Sequence, residues 1–189
     1  MKLPKLDPEK TALIIIDMLN DFVEMDGALV VPVAKDLVPT QVQILNQARQ
    51  RALTVVYLAD NHMPGDEEFK VWPKHSVAGT RGAQVVDELA PGKGEKVIPK
   101  RRYSGFFGTD LDLTLREAGI TNVILMGVLT DICVMYTSAD ASARGYNVYV
   151  VADGTGSTVR ENHQFALQHM KDIHNTTVVT ANQVLTQLL

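Results

Sequence analysis

The sequence predicts an α/β fold in which a mainly parallel sheet of about six strands is covered by helices on both faces. Two observations predict it. Apolar, β-rich runs alternate with helix-like segments along the chain, and most of these runs are continuously apolar. Continuous apolar runs are typical of parallel strands that are buried on both faces. Strands that alternate with helices favour a doubly wound sheet.

The strand candidates are six short segments rich in Val, Ile and Leu. In a parallel sheet, each of them is expected to be followed by a crossover connection. They cover residues 12–16, 53–58, 96–98, 122–126, 147–151 and 176–179.

The helix candidates lie between these segments. Two of them end at a glycine, Gly119 or Gly145, which is a common C-terminal signal. Ser157 or Thr158 is expected to cap a later helix, and Thr180 the last one. The helices are predicted over 33–51, 110–118, 131–144, from 157 or 158 to about 171, and 180–189.

Composition limits the class of protein. The 189 residues fit one domain over 1–189, with an ordinary 46% hydrophobic and 21% charged content. A net charge of −4 argues against a dedicated nucleic-acid-binding protein. The single cysteine, Cys133, excludes an intrachain disulfide and favours a reducing compartment. No secretory signal or membrane-length apolar run is found, so a cytoplasmic protein is expected.

Reactive side chains follow four of the predicted strands. Asp17 follows the first strand, Asp60 and His62 the second, Lys100 the third and Cys133 the fourth. Ligands of open α/β sheets bind beyond the carboxyl ends of the strands. The sequence therefore predicts that these side chains share one edge of the sheet.

A thiol, a carboxylate and an amine at one edge are typical of nucleophilic catalysis. A helix N-terminus and a nearby Lys100 favour the thiolate of Cys133, although a buried cysteine is also often only structural. Asp17 is a candidate to take the thiol proton, or else a cap or structural pair. Lys100 is a candidate to hold both charges, or else part of a solvated basic surface.

The long connection after the second strand contains a possible metal site. Asp60 and His62 are two residues apart, so their side chains share one face of an extended chain. With His75 and an acidic residue from 66–68, they predict a divalent metal with mixed nitrogen and oxygen ligands, namely zinc, iron or manganese. A polar surface loop is the alternative. The remaining histidines, His163, His169 and His174, are interpreted as surface or capping residues.

Five ordered blocks of sequence resemble the isochorismatase-like cysteine hydrolases, and most closely the nicotinamidases among them. The resemblance runs from about residue 11 to 180. The blocks are 12–17 with Asn20-Asp21-Phe22; Asp60-x-His62 with Pro64-Gly65-Asp66; Trp72-Pro73-x-His75 with Gly79-Thr80 and Gly82-Ala83; Lys100 with 103–106 and 108–111; and Gly127-Val128-x-Thr130-Asp131-x-Cys133-Val134.

The resemblance implies a Rossmann-like three-layer αβα sandwich and assigns roles to individual residues. Asp17, Lys100 and Cys133 would form a catalytic triad. A cis peptide would join Val128 to Leu129, and the N–H groups of Leu129 and Cys133 would form an oxyanion hole. The other implied roles are metal ligation by Asp60, His62, His75 and Glu68, with Glu68 aligning better than Glu67, and substrate binding by Phe22, Trp72 and Tyr103.

The implied activity is hydrolysis of nicotinamide to nicotinate and ammonia through a Cys133 thioester, with zinc favoured as the metal. The implied partners are a small amide substrate and a second copy of the chain, in a dimer or tetramer, with no nucleic acid or membrane. A second hypothesis keeps the triad but takes another small amide, carbamoyl or ureido substrate. A third is a redox-sensing protein with a reactive Cys133 and no hydrolase activity.

Overall fold

The computed structural model describes residues 3–189, which contain a six-stranded sheet whose neighbouring strands all run parallel. This confirms the predicted α/β class. The order β3-β2-β1-β4-β5-β6 is that of a doubly wound, Rossmann-like sheet. The strands are β1 Thr11–Ile16, β2 Thr54–Asp60, β3 Lys96–Lys100, β4 Asn122–Val128, β5 Asn147–Gly156 and β6 Thr177–Val179.

Helices cover both faces of the sheet. A wide, π-type turn, Thr130–Val134, leads into α4, and a second one, Val184–Leu188, follows α6. The helices are α1 Asn20–Val23, α2 Ala34–Gln50, α3 Leu111–Glu117, α4 Met135–Ala143, α5 Arg160–Ile173 and α6 Ala181–Gln183.

The first strand shows why the apolar runs do not alternate. Its six residues are all buried. Leu13 and Ile15 belong to the apolar cluster that includes α1, α2 and α6, whereas Ile14 and Ile16 belong to the cluster that includes α3, α4 and α5. A strand that packs against a helix layer on each side needs apolar residues at every position, and this arrangement gives three layers.

Helix boundaries differ from the prediction at three places, one of which is the predicted 180–189 helix, where the wide turn Val184–Leu188 follows the short α6. The first part of the predicted 131–144 helix is the wide turn Thr130–Val134. The helix predicted from Ser157 or Thr158 begins at Arg160, because β5 extends to Gly156 and the Ser157 hydroxyl donates to Asp131 at 2.6 Å instead of capping a helix. The predicted cap at Thr180 is confirmed, since Thr180 and Gln183 form a capping box.

The order of the strands reverses between β1 and β4, which is where a doubly wound sheet opens a ligand crevice. Gly127 lies beside Ile16 at this point, with φ = 125°. A Cβ at residue 127 would be 2.0 Å from the carbonyl oxygen of Ile16. Glycine is therefore required for β4 to pass this close to the end of β1.

Candidate active site and metal cluster

Asp17 lies directly after β1 and is 1% exposed. Its φ of 52° is in the left-handed region, which is uncommon for a residue other than glycine. The Asp60 N–H donates to its Oδ1 at 2.8 Å. Burial, together with the neighbouring Asp60, raises the pKa of Asp17 to about 6. The carboxyl is thus ionised at neutral pH and is a competent base.

Lys100 is the last residue of β3, and its side chain is fully buried. Its Nζ is 2.8 Å from Asp17 Oδ2, 2.6 Å from Asp60 Oδ1 and 3.4 Å from Cys133 Sγ. Burial by itself would lower the pKa of Lys100, but Asp17 and Asp60 outweigh it and raise the pKa well above its usual value. The ammonium therefore stays charged between two carboxylates and a sulfur, and the solvated alternative for Lys100 is wrong.

Cys133 lies within the turn Thr130–Val134 and is 7% exposed. Burial raises the pKa of the thiol well above its usual value, an effect that Lys100 opposes and that Asp17 and Asp60 reinforce. Burial and the two carboxylates therefore oppose the thiolate that the helix terminus and Lys100 favour. Asp17 and Cys133 lie side by side, and an attack by the sulfur of a protonated Cys133 requires transfer of its proton.

A second cluster lies on the other side of Asp60. Asp60 Oδ2 is 3.6 Å from His62 Nε2 and 3.7 Å from His75 Nε2, and His62 Nε2 is 3.8 Å from Glu68 Oε1. One ligand atom from each of these four residues lies within 4.8 Å of all the others. Asp60 thus links the two clusters, with one oxygen on Lys100 and the other facing the histidines.

The residues of this cluster fit a divalent metal. His62 Nε2 is fully buried and has no hydrogen-bond partner among residues 3–189, so it offers an unused lone pair. Two imidazole nitrogens and two carboxylate oxygens suit zinc, iron or manganese. Glu68 rather than Glu67 belongs to the cluster. The Glu67 side chain is 71% exposed and pairs with Lys70 on the surface.

The segment after β4 carries the predicted oxyanion donors. The peptide bond between Val128 and Leu129 is cis, as the resemblance implied. Leu129 forms no backbone hydrogen bond through its N–H within residues 3–189. Both Leu129 and Cys133 line the pocket into which the site opens.

This pocket has an apolar wall and a polar end. The three predicted substrate-binding residues, Phe22, Trp72 and Tyr103, all line it, and the Trp72 indole N–H donates to the Tyr103 hydroxyl at 3.0 Å. No lysine or arginine is among the described residues that line it. The lining also includes Leu29, Val30, Val31, Val128, Leu129, Ile132 and Thr158, with Asp17, Asp60, Glu68, His75 and Cys133 at the polar end.

Two residues at the site, Phe69 and Asp21, had no predicted role, and Asp66 was only one of three candidate ligands at 66–68 and lies outside the cluster. Asp66 lies behind His62, and Phe69 packs its ring against the His62 and His75 rings at 5.3 and 5.8 Å. Asp21 accepts the Ser76 N–H at 2.7 Å and so ties the histidine loop to α1. The block 20–22 was the available signal for Asp21; neither Asp66 nor Phe69 is distinguishable by spacing. His163 contacts Thr130 at 2.8 Å, whereas His169 and His174 pack against each other outside the pocket.

No helix within residues 3–189 combines the length and apolar character needed to cross a membrane. The Isochorismatase domain family matches residues 11–183. A probable inactive nicotinamidase of Arabidopsis thaliana is 33% identical in an alignment 174 residues long, with coverage of 86% of this chain and 89% of that protein.

Solved structures that share the fold at more than 30% identity include the following three. The pyrazinamidase/nicotinamidase of Streptococcus mutans has a TM-score of 0.85 at 38% identity, with coverage of 89% of this chain and 99% of that one. The N-carbamoylsarcosine amidase of Thermoplasma acidophilum has a TM-score of 0.84 at 38% identity, with 92% and 97% coverage. A pyrazinamidase of Pyrococcus horikoshii in complex with zinc has a TM-score of 0.85 at 31% identity, with 90% and 99% coverage. The chain therefore belongs to the isochorismatase family and is a hydrolase of that family.

Proposed function

We propose that the chain is a metal-assisted cysteine amidohydrolase that converts nicotinamide and water into nicotinate and ammonia. One observation carries this proposal. A single pocket joins the cluster of Asp17 and Cys133 and the cluster of Asp60, Glu68 and His75 to a wall of apolar and aromatic side chains, without a lysine or arginine among its described lining residues. The polar end suits an amide and the wall suits a neutral ring.

Charge supports a neutral substrate. The two carboxylates of Asp60 and Glu68 would balance a divalent cation, and Lys100 balances Asp17 at 2.8 Å. No cation is then left in the described lining to pair with a substrate carboxylate. Because a buried unpaired charge is costly, the pocket disfavours anionic substrates and favours a neutral aromatic amide such as nicotinamide.

The first chemical step in this proposal is the attack of sulfur on the amide carbon. Asp17 takes the Cys133 proton, and the Sγ–carbon bond forms while the carbonyl oxygen becomes an oxyanion. The N–H groups of Leu129 and Cys133 donate to that oxyanion, and each such donor is worth ~3–4 kcal/mol of barrier in comparable sites. Lys100, 2.8 Å from Asp17 and 3.4 Å from the sulfur, balances the negative charge that moves between them.

The second step releases ammonia and then nicotinate. Asp17 returns its proton to the leaving nitrogen as the carbon–nitrogen bond breaks, which leaves a thioester on Cys133. Water then attacks the thioester, Asp17 accepts its proton, and the Cys133 sulfur departs and is reprotonated. Phe22 and Trp72 hold the two faces of the ring during both steps.

Asp60, His62, Glu68 and His75 would hold the metal in this proposal. When bound, a divalent metal would supply a Lewis-acidic contact for the pyridine nitrogen, directly or through water. Asp60 would also keep Lys100 in place through its other oxygen, 2.6 Å from Nζ.

Two alternatives are weighed against this function. A small carbamoyl substrate is favoured by the likeness to the N-carbamoylsarcosine amidase, whose 38% identity equals that of the S. mutans enzyme. The described pocket lining contains no lysine or arginine. This argues against the carbamoyl substrate, because carbamoylsarcosine carries a carboxylate that would need a cationic partner. A redox-sensing role is disfavoured because burial raises the pKa of Cys133, and sensor thiols are exposed and acidic.

The test is ammonia release by the purified protein from nicotinamide and from N-carbamoylsarcosine. We expect kcat/KM to favour nicotinamide by ~100-fold or more, since one substrate leaves a buried charge unpaired. We expect a chelator to lower the nicotinamide rate, and zinc, manganese or iron(II) to restore it. No ammonia from nicotinamide, or a preference for the carbamoyl compound, would overturn the proposal.

We also propose that residues 1–189 act as one hydrolase domain. The sequence also predicts a cytoplasmic role in the salvage of NAD precursors. It further predicts assembly into a dimer or tetramer.

A further inference from the structure

Asp66 is a buried carboxylate that neither binds the proposed substrate nor belongs to the metal cluster. Its side chain is 0% exposed. Arg101 Nε lies 2.7 Å from Oδ2, Arg102 Nη1 lies 3.0 Å from Oδ1, and the Glu68 N–H donates to Oδ1 at 3.3 Å. Two half-exposed arginines, Arg101 and Arg102, thus form ion pairs with one buried carboxylate. That carboxylate lies next to Glu68, a proposed metal ligand.

The other neighbour of Asp66 is the His62 ring. Asp66 Oδ2 is 3.3 Å from His62 Nδ1, while His62 Nε2 faces Asp60 at 3.6 Å and Glu68 at 3.8 Å on the opposite side of the ring. Nδ1 has no hydrogen-bond partner among residues 3–189, and the Asp66 carboxylate is the acidic group that it faces. One edge of the imidazole therefore faces a carboxylate and the other faces the cluster.

We propose that Asp66, clamped by Arg101 and Arg102, is a positioning residue that orients His62 and presents its Nε2 to a divalent metal. The inference rests on the proposed metal-binding role of the cluster. A carboxylate beside Nδ1 stabilises the tautomer with the proton on Nδ1, which leaves the Nε2 lone pair free for the metal. Such partners of ligating histidines fix the ring and raise its basicity as a ligand.

The arginines explain why Asp66 has this role and is not itself a ligand. Arg101 donates to Oδ2, and Arg102 and the Glu68 N–H donate to Oδ1. Both oxygens are therefore already engaged by these donors. The contacts hold the carboxylate on the Nδ1 side of the ring.

His75 is oriented by a backbone carbonyl and not by a carboxylate. The orientation of His62 can therefore be changed without changing that of His75. Its Nδ1 lies 2.7 Å from the backbone carbonyl oxygen of Pro73. A side-chain substitution at Asp66 removes the partner of His62 and leaves the partner of His75 in place. A change in metal binding then reports on the side of the cluster that Asp66 supports, which is the His62 ring and the Glu68 backbone.

The experiment measures zinc affinity by competition with a chromophoric chelator, in purified full-length protein. The variants are Asp66→Asn, which keeps the shape and removes the charge, and Arg101→Gln, which removes one clamp at a half-exposed position. Glu67→Gln is the matched control, because it removes an exposed carboxylate that does not touch the cluster. Thermal unfolding of each metal-free variant, and the visible absorption of each cobalt(II)-loaded variant, are recorded beside the affinity.

We expect Asp66→Asn to weaken zinc binding by about 10–100-fold, Arg101→Gln to weaken it less in the same direction, and Glu67→Gln to leave it unchanged. We also expect an altered cobalt(II) spectrum in Asp66→Asn, which a merely structural role would not produce. Wild-type affinity and spectrum in a folded Asp66→Asn would overturn this inference and leave the proposed metal site standing. If Asp66→Asn does not fold, wild-type affinity in Arg101→Gln overturns it. A wild-type protein that binds no zinc would overturn the metal site and this inference together.

Discussion

Replacing Lys100 with methionine tests how the candidate site is held together. Methionine has a similar length and fills much of the same space, so the main change is the loss of one buried positive charge. The carboxylates of Asp17 and Asp60, 2.8 and 2.6 Å from Nζ, would then be buried without their shared cation. The variant therefore isolates the electrostatic contribution of Lys100.

The expected loss of stability is large because the side chain of Lys100 is fully buried. Removing one partner of a buried ion pair typically costs 3–5 kcal/mol, so we expect about that loss in the free energy of unfolding. With a urea m-value of about 2 kcal/mol/M, the midpoint would fall by about 1.5–2.5 M. Turnover should also be lost, since the proposed charge balance between Asp17 and Cys133 depends on the ammonium.

A second substitution, Asp17→Asn, is expected to change the free energy of unfolding in opposite directions in the wild-type and Lys100→Met backgrounds. Asp17→Asn should destabilise the wild-type protein, because it removes a partner of Lys100. In the Lys100→Met background the same change should stabilise, because it removes an unpaired buried charge. The assay is urea unfolding at neutral pH with a chelator present throughout. A loss below about 1 kcal/mol in Lys100→Met, well under the range for buried pairs, or simple addition of the two single losses, would refute this reasoning.

Three further substitutions test separate parts of the site. Glu68→Gln should weaken zinc binding in chelator competition whereas Glu67→Gln should not, and equal affinities would count against Glu68 as a ligand. Trp72→Ala should raise KM for nicotinamide about 10-fold, the equivalent of ~1.4 kcal/mol, and Trp72→Phe much less; the same KM in both would exclude ring stacking. Gly127→Ala should cost more than ~3 kcal/mol or prevent folding, because its Cβ would meet the Ile16 carbonyl oxygen at 2.0 Å. Gly145→Ala, at φ = 85° but with open space around the Cβ, should lower the free energy of unfolding by only ~1 kcal/mol. Similar losses for the two variants in urea unfolding would contradict the close approach of Gly127 to Ile16.

The fold was predictable because its signal is local. Six apolar runs separated by helical segments specify a parallel α/β sheet. The rule that ligands bind beyond the carboxyl ends of the strands predicts that Asp17, Lys100 and Cys133 lie at one edge. The order of the strands was not predicted. It depends on the crossover from β3 to β4, which passes the edge of β1, and no residue marks that choice in the sequence.

The parts of the site that were missed depend on tertiary contacts. The double role of Asp60 follows from its place at the end of β2, beside Lys100 in the register of β2 and β3. No role was predicted for Arg101 and Arg102, because the sequence does not show that Asp66 lies buried against them. The effect of burial on Cys133 was missed for a similar reason. The sequence shows a helix terminus and a lysine, which lower the pKa of a thiol, whereas the fold adds burial and two carboxylates, which raise it.

The most direct test of a shared thiol, acid and amine is ammonia release from nicotinamide by Cys133→Ala, compared with the wild-type protein at equal metal content. We predict that turnover falls by at least ~10³-fold, as for other enzymes that lose their nucleophile, while urea unfolding shows a folded variant. A folded Cys133→Ala protein that retains a substantial fraction of wild-type turnover would contradict catalysis through a Cys133 thioester.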